Sequence, residues 1–205
     1  MKKVISAVVV LGLVAGSTAV FRPVEACVGK SLQLGRLPGV EQEVLAEIFS
    51  WIVSERTGTT VAIKSMPDSR AAHDAIQKAD LDLYLEDQGV ALREILGLPA
   101  AGDAGEARET VRREYEQRFN LIWLEPWGMS GHPAQVAGPA AGVSDTLVAP
   151  VIRKDTLKKF PALSRLVNKL AGKVDNATMA RLMQESERRP ARDVVKQFLK
   201  EKKLI

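Results

Sequence analysis

Cysteine is nearly absent from this chain: Cys27 is the single one in 205 residues, so an internal disulfide and any multi-cysteine metal site are excluded. Histidine is almost as scarce. His73 and His132 stand alone, without a His-x-x-x-His pair or a carboxylate at ligand spacing, and metal binding is not expected. No Ser-His-Asp, Cys-His or phosphate-cradling glycine pattern occurs, so the chain does not read as an enzyme, and no cofactor is expected. Aromatics make up only 5%, and none interleave with the basic residues, which argues against a nucleic-acid partner. Those basic residues are concentrated late. Residues 153–205 hold 15 Lys and Arg against 6 Asp and Glu, but they alternate with regularly spaced apolar residues and read as solvated helix faces.

A long uninterrupted apolar run is also missing. Val4–Leu13 is apolar apart from Ser6, Ala7 and Gly12; extended to Phe21 it is diluted by Gly16, Ser17 and Thr18. With Lys2 and Lys3 before it and Val24-Glu25-Ala26 after it, this segment reads as a signal peptide, residues 1–26, cleaved after Ala26. Export to the periplasm follows. The alternative is membrane attachment, through an uncleaved N-terminal helix or a lipid on Cys27, whose neighbour Glu25 is a poor residue for a lipoprotein signal.

What remains, residues 27–205, is the size of one domain. Strands are expected at Leu32–Leu34, Thr59–Ile63, Leu81–Leu85, Leu121–Leu124 and Leu147–Ile152, the last with Pro150 at an edge or bulge. Between them, Val40, Val44, Leu45, Ile48, Ile52 and Val53 form a helical stripe that Gly58 can end. Asp68 or Ser69 can cap a second helix, Val90, Leu92 and Ile95 lie on a short third, and Ala107, Val111, Tyr115 and Phe119 mark a fourth. After the fifth strand the chain reads as helix: one stripe from Leu157 to Leu170, a second capped by Asp175, and a last with Pro190 in its first turn. Alternating strand and helix implies α/β: about five mostly parallel strands in a three-layer lobe, with helices on both faces. Residues 128–144, GMSGHPAQVAGPAAGVS, are small and nearly uncharged and read as a flexible loop.

Several segments together resemble the substrate-binding proteins of ABC transporters for glycine betaine, choline and proline, of the type II periplasmic binding protein kind. Leu81–Leu92 (LDLYLEDQGVAL) resembles that family's Asp-Leu-Tyr segment; Val111–Gly128 is similar to its helix-strand unit leading to the hinge. Val148–Leu170 is similar to the return strand and helices, and Pro190–Ile205 to the C-terminal helix. The resemblance implies two lobes closing on a small quaternary ammonium or amino-acid-like solute, and an ABC permease or other envelope protein as partner. Here fewer than twenty residues separate Trp127 from Asp145, so the chain resembles the first lobe alone, with 128–144 in place of the second.

In the family an aromatic cage holds the cation. Tyr84 and Asp82 match residues of the Asp-Leu-Tyr segment, Asp87 stands where its second tyrosine would be, and Trp127 lies at the hinge; these four are the candidate ligand residues. Most of the cage is missing, because Gly128–Pro133 and Asp145–Leu147 carry no aromatic. A degraded ligand site is therefore expected. The alternative is an envelope interaction or sensory domain that presents Trp127, Met129 and Tyr84 to a protein partner. Trp123 is expected in the core and Trp51 at the rim or core of the first helix.

Overall fold

The computed structural model describes residues 31–99, 102–131 and 146–205. The signal segment, Cys27, His132 and most of the 128–144 segment lie outside the described residues. Five strands form one sheet: β1 (Ser31–Arg36), β2 (Thr60–Ser65), β3 (Leu83–Asp87), β4 (Leu121–Trp123) and β5 (Val148–Arg153), in the order β2-β1-β3-β5-β4. β1 pairs parallel with β2 and β3, and β5 pairs antiparallel with β3 and β4, so four strands point one way and β5 returns between two of them.

The helices are α1 (Val40–Thr57), α2 (Ser69–Gln77), α3 (Gln88–Val90), α4 (Ala104–Phe119), α5 (Lys154–Lys159), α6 (Leu163–Val167), α7 (Asn176–Ser186) and α8 (Ala191–Glu201). α3 runs into a π-helical turn, Ala91–Ile95, and α6 into a 3-10 turn, Asn168–Leu170. Four N-termini are set by aspartate side chains, each accepting the N–H three residues on: Asp68 from Ala71, Asp87 from Val90, Asp103 from Glu106 and Asp175 from Thr178. Gly58 ends α1 in the left-handed conformation, φ 67°, which a side chain would resist.

Period-two alternation sends strand residues to two separate cores. Leu32, Leu34, Leu83, Leu85, Val148 and Ile152 pack against α1 and the α6–α8 group. Tyr84, Ala149, Val151 and Trp123 pack against α2, the π-helical turn and α4. With both faces covered, every residue of β3 is buried, including the charged pair at its end.

Three local expectations change. Pro150 is not at an edge: β5 is an internal strand, and Pro150 pairs with Leu85 of β3. It is tolerated because its carbonyl accepts from Leu124 N–H, one residue past the end of β4, so its missing donor falls where the partner strand stops. The stripe from Leu157 is two helices, because Pro161 interrupts α5 and α6. Pro190 occupies the cap position of α8 and not its first turn.

Candidate functional site: a polar cluster at the carboxyl ends of the parallel strands

β1, β2 and β3 end side by side, and the loops that follow them lead into α1, α2 and α3. Between these loops lies a cleft of about 220 Å3 walled by Leu37, Pro38, Pro67 and Val90, with Asp68, Ser69 and Glu94 as its polar lining. Ligands of open α/β sheets collect at this end because the loops there diverge. Among the described residues, no aromatic side chain lines the cleft.

Next to the cleft β3 ends in two buried carboxylates. Glu86 accepts the Asp87 N–H at 2.9 Å through Oε1, and Ser69 also bonds to its side chain, but Oε2 has no partner among the described residues. Desolvation pushes its pKa up to about 8, against those two hydrogen bonds. The Asp87 carboxyl is likewise held above the ordinary range by burial. The Val90 N–H, the Thr146 hydroxyl and the Arg93 guanidinium pull the other way. Asp87 caps α3 through Val90 N–H at 3.0 Å and accepts the Thr146 hydroxyl at 3.1 and 3.0 Å.

These contacts make Asp87 the fastening point of the segment that follows the hinge. Gly131 N–H donates to the Thr146 carbonyl at 3.0 Å, and Ser130 bridges Leu147, so the chain leaves and returns at adjacent points. Gly131 sits so close that a Cβ there would come within 2.1 Å of Asp87 Oδ2. Gly131→Ala is therefore expected to cost about 1–3 kcal/mol, the range for overpacking a tight site. Urea unfolding of both proteins checks this, and an unchanged midpoint would mean the fastening is loose.

The candidate residues do not converge. Tyr84 is fully buried on the α2 and α4 side, its hydroxyl 3.5 Å from His73 Nδ1, within a ring-edge cluster that includes Tyr115, Phe119 and Trp123. Asp82 lies at the other end of β3, where it accepts the Gln33 N–H and the Thr156 hydroxyl, each at 2.8 Å. Trp127 is fully buried among the α1 and α6–α8 side chains, and its carbonyl accepts Val174 N–H at 3.1 Å. Only Asp87 belongs to the cluster beside the cleft. The surface of Trp127, Met129 and Tyr84 expected to meet a partner does not exist as such, since all three are at most 1% exposed. These large apolar groups gain more from filling the core than from lining an open face.

Of the remaining singled-out residues, Trp123 is in the core as expected. Trp51 packs beneath Arg192 and Lys196 at 4.5 and 4.4 Å, its Nε1 donating to the Arg192 carbonyl. It fastens α8 to α1. Sequence reasoning passed over Glu86, Arg93, Gly131 and Thr146. The signal for Glu86 was a charged residue following directly on an otherwise apolar strand with no break between them.

The profile of the family described as "Substrate binding domain of ABC-type glycine betaine transport system" matches residues 30–139 and 133–201. The chain belongs to this family. As a solute-binding family protein it is not an enzyme. The carnitine transport binding protein OpuCC of Listeria monocytogenes is 24% identical over 158 residues, 74% of this chain and 46% of that protein. The ergothioneine transport permease/ergothioneine binding protein EgtU of Helicobacter pylori is 30% identical over 104 residues, 46% of this chain and 17% of that one. The chain thus spans about half or less of the curated relatives it matches. In fold it is similar to the crystal structure of a glycine betaine/carnitine/choline ABC transporter, with a TM-score of 0.76 at 12% identity over 86% of this chain and 99% of that one. Apo YehZ from Escherichia coli gives 0.68 at 16% identity, over 86% and 99%. No helix among the described residues of this betaine-type family member is long and apolar enough to cross a membrane.

Proposed function

We propose that this family member is an exported, solute-binding-like protein consisting of one lobe, with residues 128–144 in place of the second, and that its quaternary ammonium site is degraded. Its working location is the periplasm, with attachment through Cys27 or an uncleaved N-terminal segment as the alternative. Support for the single lobe comes from the closed mouth at Gly131 and Thr146, with only fourteen residues between them.

The observation that carries the degraded site is the cleft lining, which contains no aromatic face among the described residues. A quaternary ammonium has no hydrogen to donate, so aromatic faces and nearby negative charge must hold it, each face contributing about 0.5–2 kcal/mol. Tyr84 and Trp127 are enclosed by core, and Asp87 is engaged by Thr146 and Val90. A half-cleft open to water adds little more. The second reading, a domain that keeps the fold and meets a protein partner, draws on Val40. This side chain is 44% exposed and two residues from Pro38 on the cleft rim.

Titration calorimetry with glycine betaine, choline, carnitine and proline tests the first reading. No solute is expected to bind more tightly than about millimolar, near 4 kcal/mol. A micromolar dissociation constant for any of them would overturn it.

A further inference from the structure

The end of the sheet opposite the cleft has a chemistry of its own. α1 ends there at Thr57, β2 begins at Thr60, and β1 begins at Ser31, in register with Thr60. β5 also finishes there and turns into α5. Between α1 and the α5–α6 turn lies an apolar hollow of about 220 Å3, walled by Val53, Phe160, Pro161 and Leu163 with Lys159 at its border. A second, polar hollow of about 130 Å3 is lined by Arg153, Lys154 and Asp155 together with Gln77 and Asn120.

Cations gather around both. Arg56 reaches the Leu204 carbonyl at 3.0 Å, which brings the Lys202–Lys203 end of α8 to the same place. Lys158 and Lys159 lie at the end of α5, Lys154 opens it and Arg153 precedes it. Asp155 pairs with Lys158 and Glu116 with Lys154. Complementing helix carboxyl ends accounts for Arg56, Lys158 and Lys159. It does not account for Arg153 and Lys154, which stand at the amino end of α5, where cations are disfavoured.

This is also the end at which the residues preceding Ser31 join the domain. Cys27 is four residues before Ser31, a reach of at most ~13 Å. We infer that this basic, hollowed end is a docking surface for an anionic phospholipid bilayer. Arg153, Lys154, Lys158 and Lys159 contact headgroup phosphates, and the Phe160–Leu163 hollow accepts the apolar boundary beneath them. An apolar patch ringed by cations fits that interface, where each cation adds to the attraction and the apolar area sets the depth. The inference rests on the export reading for its setting, but its test does not depend on export.

The purified full chain is sedimented with vesicles of phosphatidylethanolamine and phosphatidylglycerol, 70:30, and with vesicles of phosphatidylcholine alone. Binding is expected to the anionic vesicles, falling with salt. Lys154→Glu, Lys158→Glu and Lys159→Glu combined should lower the partition coefficient about 100-fold, at about fivefold for each cation. Phe160→Ser should lower it several-fold. Arg70→Glu, at the cleft end, should change it less than twofold. Circular dichroism establishes that each variant is folded. Absence of binding to anionic vesicles, equal binding of the triple variant, or an equal loss from Arg70→Glu would each overturn the assignment. An intact-mass measurement on the same preparation reports separately on export and cleavage.

Discussion

Removing residues 175–205 is expected to abolish cooperative folding. α7 and α8 supply Met179, Leu182, Val194, Val195, Phe198 and Leu199 to the same core as β1, β3 and α1, and each is at most 2% exposed. At about 1.5–3 kcal/mol for each large apolar side chain, their loss removes roughly 10 kcal/mol or more. That matches the whole stability of an ordinary domain, about 5–15 kcal/mol. The damage extends to α1, whose Phe49 and Trp51 are buried in addition to its predicted stripe. Without α8, Trp51 loses Arg192, Lys196 and its hydrogen-bond acceptor together. Thermal melts by circular dichroism on chains ending at 174 and 205 decide it. The shorter chain should aggregate or show no transition; a soluble, cooperative melt would place these helices outside the core.

The sequence made the layers readable because the strong signals were local. Alternation at Leu83–Leu85, the Gly58 stop and the Asp68 and Asp175 caps each depend on neighbours within a few residues, and all form as expected. α1 was readable as a helix but not as a central one. Its second buried face is made by α6–α8, more than a hundred residues away, and no window on α1 alone carries that. Pro150 was misplaced for a related reason. Whether a strand is internal depends on strand order, and the return of β5 between β3 and β4 is a long-range event.

The candidate site was less legible than the fold. Tyr84 and Asp82 were chosen by position within a resembling segment, and position along a strand fixes which face a side chain takes but not what covers that face. α2 and α4 cover Tyr84, and the Gln33 N–H and Thr156 hydroxyl occupy Asp82. Asp87 could be placed at a strand end from the sequence. Its role in fastening Thr146 against Gly131 needed the pairing of two segments 59 residues apart.

Glu86→Gln is expected to stabilise the protein above neutral pH and leave it nearly unchanged near pH 4. Glu86 titrates at about 8 in the folded chain, against an ordinary value of 4.5, because it is buried; its Oε2 has no partner among the described residues. Below pH 4.5 the folded and unfolded chains both carry the proton, and the residue favours neither. Between 4.5 and 8 the unfolded chain releases the proton while the folded chain retains it. Stability therefore falls as pH rises, by about 1.4 kcal/mol for each unit, up to at most about 4–5 kcal/mol. Above 8 both forms are ionised and the loss levels off. Asp87 is raised as well and adds a slope of the same sign at lower pH, while Glu94 adds repulsion toward Glu86. Glutamine keeps an oxygen to accept the Asp87 N–H, has the shape of the protonated acid and does not titrate. Urea unfolding from pH 4 to 9 should show a declining stability for the natural chain and a flatter curve for the variant. By pH 8 the two should differ by at least about 2 kcal/mol, which is less than half of the ceiling. Parallel curves across that range would mean that Glu86 is ionised in the folded protein and that its second oxygen has a partner.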